Sequence, residues 1–596
     1  MLLSENIMKT IKHIVIAAIL VMLSSCNKSW LEPEPLSFYT PENVYQNREG
    51  LESLLIKIRK DMAAESHSLA GGDKPYYLIM EFASSDLGSP WSQLDFYKLT
   101  PNTDTYYNFL NMFTTIYNSI KNCNVLISRI DDVEWSSEQE RNNMLAQGLW
   151  YRAYWYYRLV NSYGDVPFIG EEISGAKLDF YTHSRDAILA KIQADLEYAV
   201  EALPASAEPG VVTSGAARHL LTKVYLANGE FDKAISTATA VINGPYALMK
   251  ERFGSSAQDP ERNLIWDLHR PENMSIPQNT ETILTSIDRY EAPADARATG
   301  GLSTMRFYGC QWHQVQVLDS EGKPGMVASG LMYDSLGRGN SNVRLTGFYQ
   351  YDVWTYKDQT WKNTTDLRRS DINWVDKDEY LYNNPASKDF GKPVNPDYFA
   401  AAIDTFKHLY AVPHYIIYVP EKSPGIQPRG GNGDWYVFRL AETYLLRAEA
   451  YYWKGQLDQA AADINEVRTR AGALPITAGE VTIDFIFNER ARELFAEEPR
   501  HSELVRVSYI MAKQGLNGYS LANFSEKNYY YDRVMKYNPT YEQKINLLGS
   551  VANMAPFHVL WPIPSNVITA NTQGVINQNI GYDGAERNVP PLETIE

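Results

Sequence analysis

Two stretches far apart in the chain carry the same pattern. Tyr225, Gly229, Phe231 and Ala234 align with Tyr451, Gly455, Leu457 and Ala460 at one constant offset. In each, a helical run ends near a glycine, which enters the left-handed region that closes a helix, and the next helix brings a small alanine against it. That spacing of Tyr, Gly, Phe or Leu, and Ala is the spacing of the tetratricopeptide helix–turn–helix unit. One such hairpin cannot bury its own apolar face, so the pattern commits the chain to a stack of helical pairs. Two clear copies fall short of a stable solenoid, and degenerate copies are expected between residues 40 and 203. The predicted fold class is mainly α, with tetratricopeptide-like helical repeats and long loop-rich, aromatic-rich insertions. Two unrelated helical hairpins are the alternative.

Patterning along the chain fits the first reading. Thr40-Pro41-Glu42 resembles a helix start, with Thr40 as N-cap and Pro41 at the first helical position, and helix follows to about residue 65. Leu145, Leu149, Ala153, Tyr156, Val160 and Tyr163 recur at spacings of three and four, which predicts a helix over 138–163 with one continuous face. Gly164-Asp165-Val166-Pro167 stops it. A third helix is expected over 185–203, and helices resume from about Val437. Residues 256–430 differ: glycine, proline, asparagine and aromatics are dense and helical periodicity is weak. Trp266, Trp312, Trp354, Trp361 and Trp374 all fall there. A stretch of that length without periodicity is usually functional.

The N-terminus reads as an export signal. Lys9 and Lys12 precede an apolar run from Ile14 to Leu23, and Leu23-Ser24-Ser25-Cys26 closes it as a lipobox. The run is too short for a transmembrane helix, which needs about 20 apolar residues. Cys26 is the expected lipidation site, and Met8 is an alternative start. Pro33 and Pro35 make the following residues an extended tether. The expected organisation is a signal peptide over 1–25, a lipidated tether over 26–40 and N-terminal helical repeats over 41–255. A loop-rich insertion with the ligand region follows over 256–430, then C-terminal helical repeats over 431–516 and a loop-rich end over 517–596. Residues 41–596 are expected to fold as one unit.

Composition narrows the function. The net charge of −17 leaves no basic stretch, which argues against nucleic acid and against electrostatic binding to anionic lipid, so membrane attachment rests on the acyl chains alone. After lipidation only Cys123 and Cys310 remain, so there is no disulfide framework, and two buried free thiols are expected rather than a bridge. Nucleophile elbows, zinc-protease helices and phosphate-cradling loops are absent from the sequence. A glycosidase needs only two carboxylates in the right geometry, so hydrolysis is unsupported rather than ruled out. Glu489, Glu493, Glu497 and Glu498 alternate with Arg490, Arg492 and Arg500, as in a salt-bridged structural helix. No cofactor or metal is expected. Asp371, Asp376, Asp378 and Glu379 supply the hard oxygens that calcium takes, but without the glycine and spacing of a calcium loop, and a solvated surface run is the plainer reading.

Trp150-Tyr-Arg-Ala-Tyr-Trp-Tyr-Tyr-Arg-Leu-Val160 followed by Tyr163-Gly-Asp-Val-Pro167 resembles the hallmark helix and exit turn of the SusD/RagB family of outer-membrane nutrient-uptake lipoproteins. Gly210 to Ala217, Phe438 to Glu442, Arg447 to Ala450, Ile464-Asn465, Val467 to Gly472, Asn488 to Arg490 and Glu493 to Arg500 resemble its later repeats. Trp561-Pro-Ile-Pro564, Asn571, Gln578-Asn579 and Gly581-Tyr582 resemble its closing segment. His501 to Arg506 departs from the family's pattern, and the residues after Cys26 lack a dense acidic run. The resemblance implies a SusD-like fold whose helical face packs on a SusC-like TonB-dependent barrel and whose loop face binds a nutrient, commonly an oligosaccharide. It implies no catalysis, and an outer-membrane, lipid-anchored location facing the cell exterior. A surface glycoside hydrolase, a peptide-binding member of the family and a repeat scaffold without a ligand are the alternatives.

Sugar sites pair an aromatic face, for the C–H side of a pyranose, with polar groups for its hydroxyls. Two regions fit. One holds Asp86, Trp91, Gln93 and Tyr97; the other holds Tyr290, Arg306, Tyr308, Trp312, Trp354 and Trp361. Trp91 and Trp312 are the first choices.

Overall fold

The computed structural model describes residue 13 and residues 44–68, 76–90, 96–104, 108–399, 405–541 and 553–595. The expectations for Cys26, the tether, the Thr40-Pro41 helix start, Trp91 and Gln93 lie outside these residues.

The first long helix, α1 (Arg48–Met62), begins at Asn47, whose side chain accepts from the Gly50 amide. A short α2 (Tyr77–Ala83) and two long helices follow, α3 (Phe109–Ser128) and α4 (Glu138–Tyr163). Ser137 caps α4 by accepting from the Glu140 amide, and Gly164 closes it at φ +69°. The sequence suggested one apolar face, but from Ala146 to Tyr163 the helix is buried all round. It is the central rod of the molecule: α3 lies on one side, α5 (Arg185–Ala202) on another and α11 (Arg500–Lys513) on a third.

The repeat pattern resolves as two helical hairpins, α6 (Ser214–Asn228) with α7 (Phe231–Ile242), and α8 (Leu440–Trp453) with α9 (Leu457–Arg470). Gly229 and Gly455 turn them at φ +76° and +71°. The hairpins are consecutive in the stack, because α7 packs against α8. Phe231 stacks on Trp453 at 6.1 Å, Arg447 donates to Thr239 at 2.9 Å, and Lys454 pairs with Asp232 at 2.8 Å. The earlier helices α3 to α5 extend the same succession of packed neighbours. The whole loop-rich insertion thus leaves and re-enters the stack between adjacent repeats.

Short antiparallel pairs organise that insertion. Gly88–Pro90 (β1) pairs with Val343–Leu345 (β3), and Thr282–Ser286 (β2) pairs with Trp435–Arg439 (β4). Val437, expected at a helix start, is therefore in a strand that feeds α8. The closing segment, expected to be loop-rich, also carries the helix α12 (Tyr529–Tyr537). Cys123 and Cys310 are buried free thiols, as expected.

The acid–base run around residue 490 is not one helix. α10 (Ile483–Glu493) ends, Ala496 turns the chain at φ +62°, and Arg500 opens α11. Its charges are buried rather than exposed. Glu489 meets Arg368, Arg468 and Arg492 at 2.6–2.8 Å, and Arg490 meets Glu498 and Glu503 at 2.5 and 2.9 Å. Arg158 of α4 holds Glu65 and Glu81, and Arg439 of β4 holds Glu281, Glu493 and Glu497. Asp86, placed in a candidate sugar site by its sequence context, belongs here too. It is fully buried and accepts from Arg500 and Arg533 at 2.7–2.8 Å.

Burial would raise the Asp86 carboxyl, but the two guanidiniums hold it down at about 2. Its folded value therefore lies below the ordinary carboxylate value, so the stability it contributes is present at neutral pH and is lost as pH falls through about 2. Asp86→Asn leaves two buried cations without their acceptor and should cost about 3–5 kcal/mol at pH 7. In chemical denaturation the gap from the parent protein should narrow between about pH 4 and pH 2.

Candidate functional site

Three chain segments meet in the insertion, and glycines let them approach. The short helix Thr304–Tyr308 and its exit lie between Gly337-Arg-Gly-Asn-Ser341 and Pro428-Arg-Gly-Gly431. The Ser303 amide donates to Gly430 at 2.9 Å, the Arg306 amide to Arg429 at 2.9 Å, and the Asn340 amide to Arg306 at 2.7 Å. The Arg338 amide donates to Pro428 at 2.6 Å and the Ser341 amide to Gly309 at 2.9 Å. A Cβ at Gly339 would stand 2.1 Å from the Cys310 carbonyl oxygen, so only glycine permits that approach. Gly430 sits at φ +103° against the Thr304 backbone, which again excludes a side chain.

This junction presents a polar rim. Gln311 donates to Asn340 at 3.0 Å, and Asn340 donates on to Asn342 at 3.0 Å. Gln314 contacts the His313 ring at 3.0 Å. Arg338 is exposed, Arg306, Arg429, Gln314 and Asn340 are half-buried, and Gln311 is nearly covered. Behind the rim lie the Trp312, His313, Tyr333 and Tyr380 rings, whose centroids are 5.8–6.4 Å apart in successive contacts. Burial pushes the His313 imidazole down to about 4, and the charges of Arg338, His408 and Arg306 push the same way, so it is neutral at physiological pH. The arrangement can donate to and accept from a polyhydroxylated ligand at several points at once.

The structure spreads the residues expected from sequence over different places. Arg306 and Trp312 belong to the junction, but Trp312 is 1% exposed and its indole donates to the Gly337 carbonyl at 3.3 Å. It is a wall behind the rim and offers no open face. Tyr308 is fully buried against Phe82 and Phe495, and Trp354 is buried, donates to the Tyr349 carbonyl at 2.7 Å and packs on Trp374. Both are core residues, as Asp86 is, and this corrects their assignment to a sugar site. Tyr290 is half-buried on another loop, with the Arg297 guanidinium 4.9 Å from its ring. Trp361 is half-buried with Tyr351 and Arg369 at 5.0 and 4.9 Å. Tyr97 is 55% exposed and meets Phe557 and His558 of the closing segment edge-on. The acidic run is not wholly solvated either: Asp376 is buried on Arg369 at 2.7 Å. Among the described residues no cluster of three His, Cys, Asp or Glu could hold a metal ion.

Gln311, Gln314, Arg338, Asn340, Asn342 and Arg429 were missed. The glycine-dense runs around 337–341 and 428–433 were their signal in the sequence, because such runs mark close backbone approach.

Comparisons with known proteins agree with this architecture. A family model described as the SusD family matches residues 293–582, and a second, described as starch-binding associating with outer membrane, matches residues 30–226. The chain belongs to the SusD/RagB family. SusD-like protein P25 of Formosa agariphila is 22% identical over 525 residues, covering 84% of this chain and 90% of that protein. SusD-like protein P2 of the same organism is 28% identical over 242 residues, which span 39% of this chain and 46% of the relative. The solved structure of a laminarin binding SusD-like protein superposes with a TM-score of 0.61 at 20% identity, covering 90% of this chain and all of that one. The mainly helical SusD-like fold is thereby shown.

Because Trp312 is a wall, its loss should register as instability. Trp312→Ala should lower the unfolding free energy by about 3–5 kcal/mol, read from the urea midpoint. A variant as stable as its parent would mean that the ring is not packed as described.

Proposed function

We propose that this protein is a glycan-binding lipoprotein of the outer membrane that takes an oligosaccharide at the three-segment junction and delivers it to a SusC-like TonB-dependent barrel. The observation that carries this reading is the rim of amides and guanidiniums that the junction assembles in a SusD/RagB chain. Sugar hydroxyls both donate and accept, and Gln311, Gln314 and Asn340 offer both functions while the arginines donate. The description of the N-terminal family match, starch-binding associating with outer membrane, and the laminarin binding title of a structural relative support a carbohydrate as the ligand class. No step of catalysis is proposed.

Attachment follows from Cys26 as the acylated residue, with residues 27–40 as a tether. The outer helices α5, α7 and α9 bury one face and leave another to solvent, which suits docking on a barrel. Cys26→Ala should abolish labelling by a palmitate analogue and release the protein from the membrane fraction; persistent labelling would remove the anchor from the reading.

Glycan binding is tested by isothermal titration of the folded protein against a panel of oligosaccharides. Gln311→Ala and Asn340→Ala should each weaken the best binder by about five- to tenfold, the scale of one hydrogen bond, with unchanged circular dichroism. The titrated glycan should be recovered at its original length. Unchanged affinity in both variants would move the site elsewhere, and shortened products would make the protein a hydrolase.

A further inference from the structure

A groove of about 470 Å³ opens between α3, the loop 167–180 and the short helix Ser565–Ala570. Tyr117 and Ile120 of α3, Ile169, Ile173 and Phe180 of the loop and Val567 of the short helix line it. Polar groups beside these side chains are spent within the fold. The Tyr117 hydroxyl donates to the Pro167 carbonyl at 2.7 Å, and the Asn124 amide donates to the Ile169 carbonyl at 2.8 Å. The walls therefore offer mainly hydrocarbon, which suits apolar side chains better than a sugar.

Two cations stand on this groove. Lys121 of α3 and Lys177 of the loop are exposed, and neither meets a carboxylate among the described residues. The Lys177 ammonium lies 5.8 Å from the Phe180 ring. An exposed apolar surface flanked by lysines without acidic partners fits an occupant that is itself apolar and acidic.

The chain carries such a segment within reach. Trp30, Leu31, Leu36 and Phe38 fall in one short run, with Glu32 and Glu34 between them. The helix that follows, α1, starts beside one end of the groove. Arg48 of α1 pairs with Glu140 at 2.9 Å and donates to Ser136 at 3.4 Å, where the α3–α4 turn enters α4. Where that turn leaves α3, Arg129 pairs with Glu172 at 2.7 Å, and Glu171 and Ile173 on either side of Glu172 line the groove. The turn from Arg129 to Ser136 can span at most about 25 Å, whereas the chain from Asn47 back to Phe38 extends to about 30 Å and back to Trp30 to about 55 Å.

We infer that residues 30–38 occupy this groove, with their apolar side chains against Tyr117, Ile120 and Ile173 and with Glu32 and Glu34 toward Lys121 and Lys177. The link to Cys26 then leaves the fold from the α3 flank, and only the few residues between Cys26 and Trp30 are left to swing. The inference goes beyond the glycan-binding reading and does not depend on it.

The test is zero-length carbodiimide cross-linking of the full chain, in its membranes and after purification in detergent, with coupled peptides mapped by mass spectrometry. Glu32 or Glu34 should couple to Lys121 or Lys177. Trp30→Ala combined with Phe38→Ala should cut that yield by at least about tenfold, because burial of two aromatic side chains holds the segment in place. Ile173→Asp, at a half-buried loop position on the groove side, should act in the same direction with unchanged circular dichroism. Amide exchange of residues 31–38 should be at least about tenfold slower in the parent than in the aromatic double variant. Absence of the cross-links, with these amides exchanging as in a free peptide, would overturn the inference. Cross-links at parental yield in the aromatic double variant would overturn the seating in the groove. Coupling of Lys121 and Lys177 to a second copy of the chain or to another membrane protein, in place of Glu32 and Glu34, would overturn it and give the groove to that partner. Each of these failures leaves the glycan titrations untouched.

Discussion

A buried ionic lattice ties the molecule together. Arg158 from α4, Glu81 from α2 and Ser502 from α11 meet in one contact, with the Ser502 amide and hydroxyl both donating to Glu81. Arg490 and Arg506 share Glu503, and Lys223 of α6 joins it to Glu442 of α8. Arg439 and Arg470 share Glu281 and Glu493. Each buried charge carries a desolvation cost of several kcal/mol, and a pair gives little net stability over an apolar substitute. What the lattice supplies is register. An apolar α11 could slide against α4, whereas one whose Glu503 must reach Arg490 and Arg506 while Ser502 meets Glu81 and Arg158 has its seating fixed.

The same lattice places the junction. Asp86 is held by Arg500 and Arg533, and two residues later the chain enters β1, paired to Val343–Leu345. Glu281 leads into β2, which pairs with β4, the strand that carries Arg439. The insertion is therefore pinned through β1 and β2 to acids that the helical stack has already fixed. Between these anchors the backbone hydrogen bonds of residues 300–310, 337–341 and 428–431 close the rim, with Gly339 and Gly430 at two of the close approaches. A rigid scaffold carrying a loop-built site is a general solution, and here the links between scaffold and loops can be named residue by residue.

Much of the scaffold was legible in the sequence because its signals are local. The 138–163 helix, its glycine stop and the paired hairpins at Gly229 and Gly455 all follow from spacing and capping. The strand Trp435–Arg439 was not legible, since a five-residue run gains its conformation from a partner about 150 positions upstream. The site was read least well. Tryptophan was taken as a sugar platform, but Trp312 and Trp354 each spend their indole N–H on a backbone carbonyl and their faces on neighbouring rings. Nothing in sequence distinguishes a buried indole from an open one. The rim residues are polar and ordinary one by one, and only the long-range backbone pairing makes a group of them.

That separation explains how one fold can serve different ligands. The repeat stack is continuous in space across the insertion, because α7 meets α8 although about 200 residues intervene. Changes in the loops around residues 311–341 and 420–431 alter the rim without touching the α7–α8 contact, while Glu281 and Arg368 of the same insertion stay tied to the charges around Glu493. Fold therefore says little about ligand, and the chemistry of the rim says more. Here that chemistry is amide and guanidinium, assembled by glycines and set in an acidic protein.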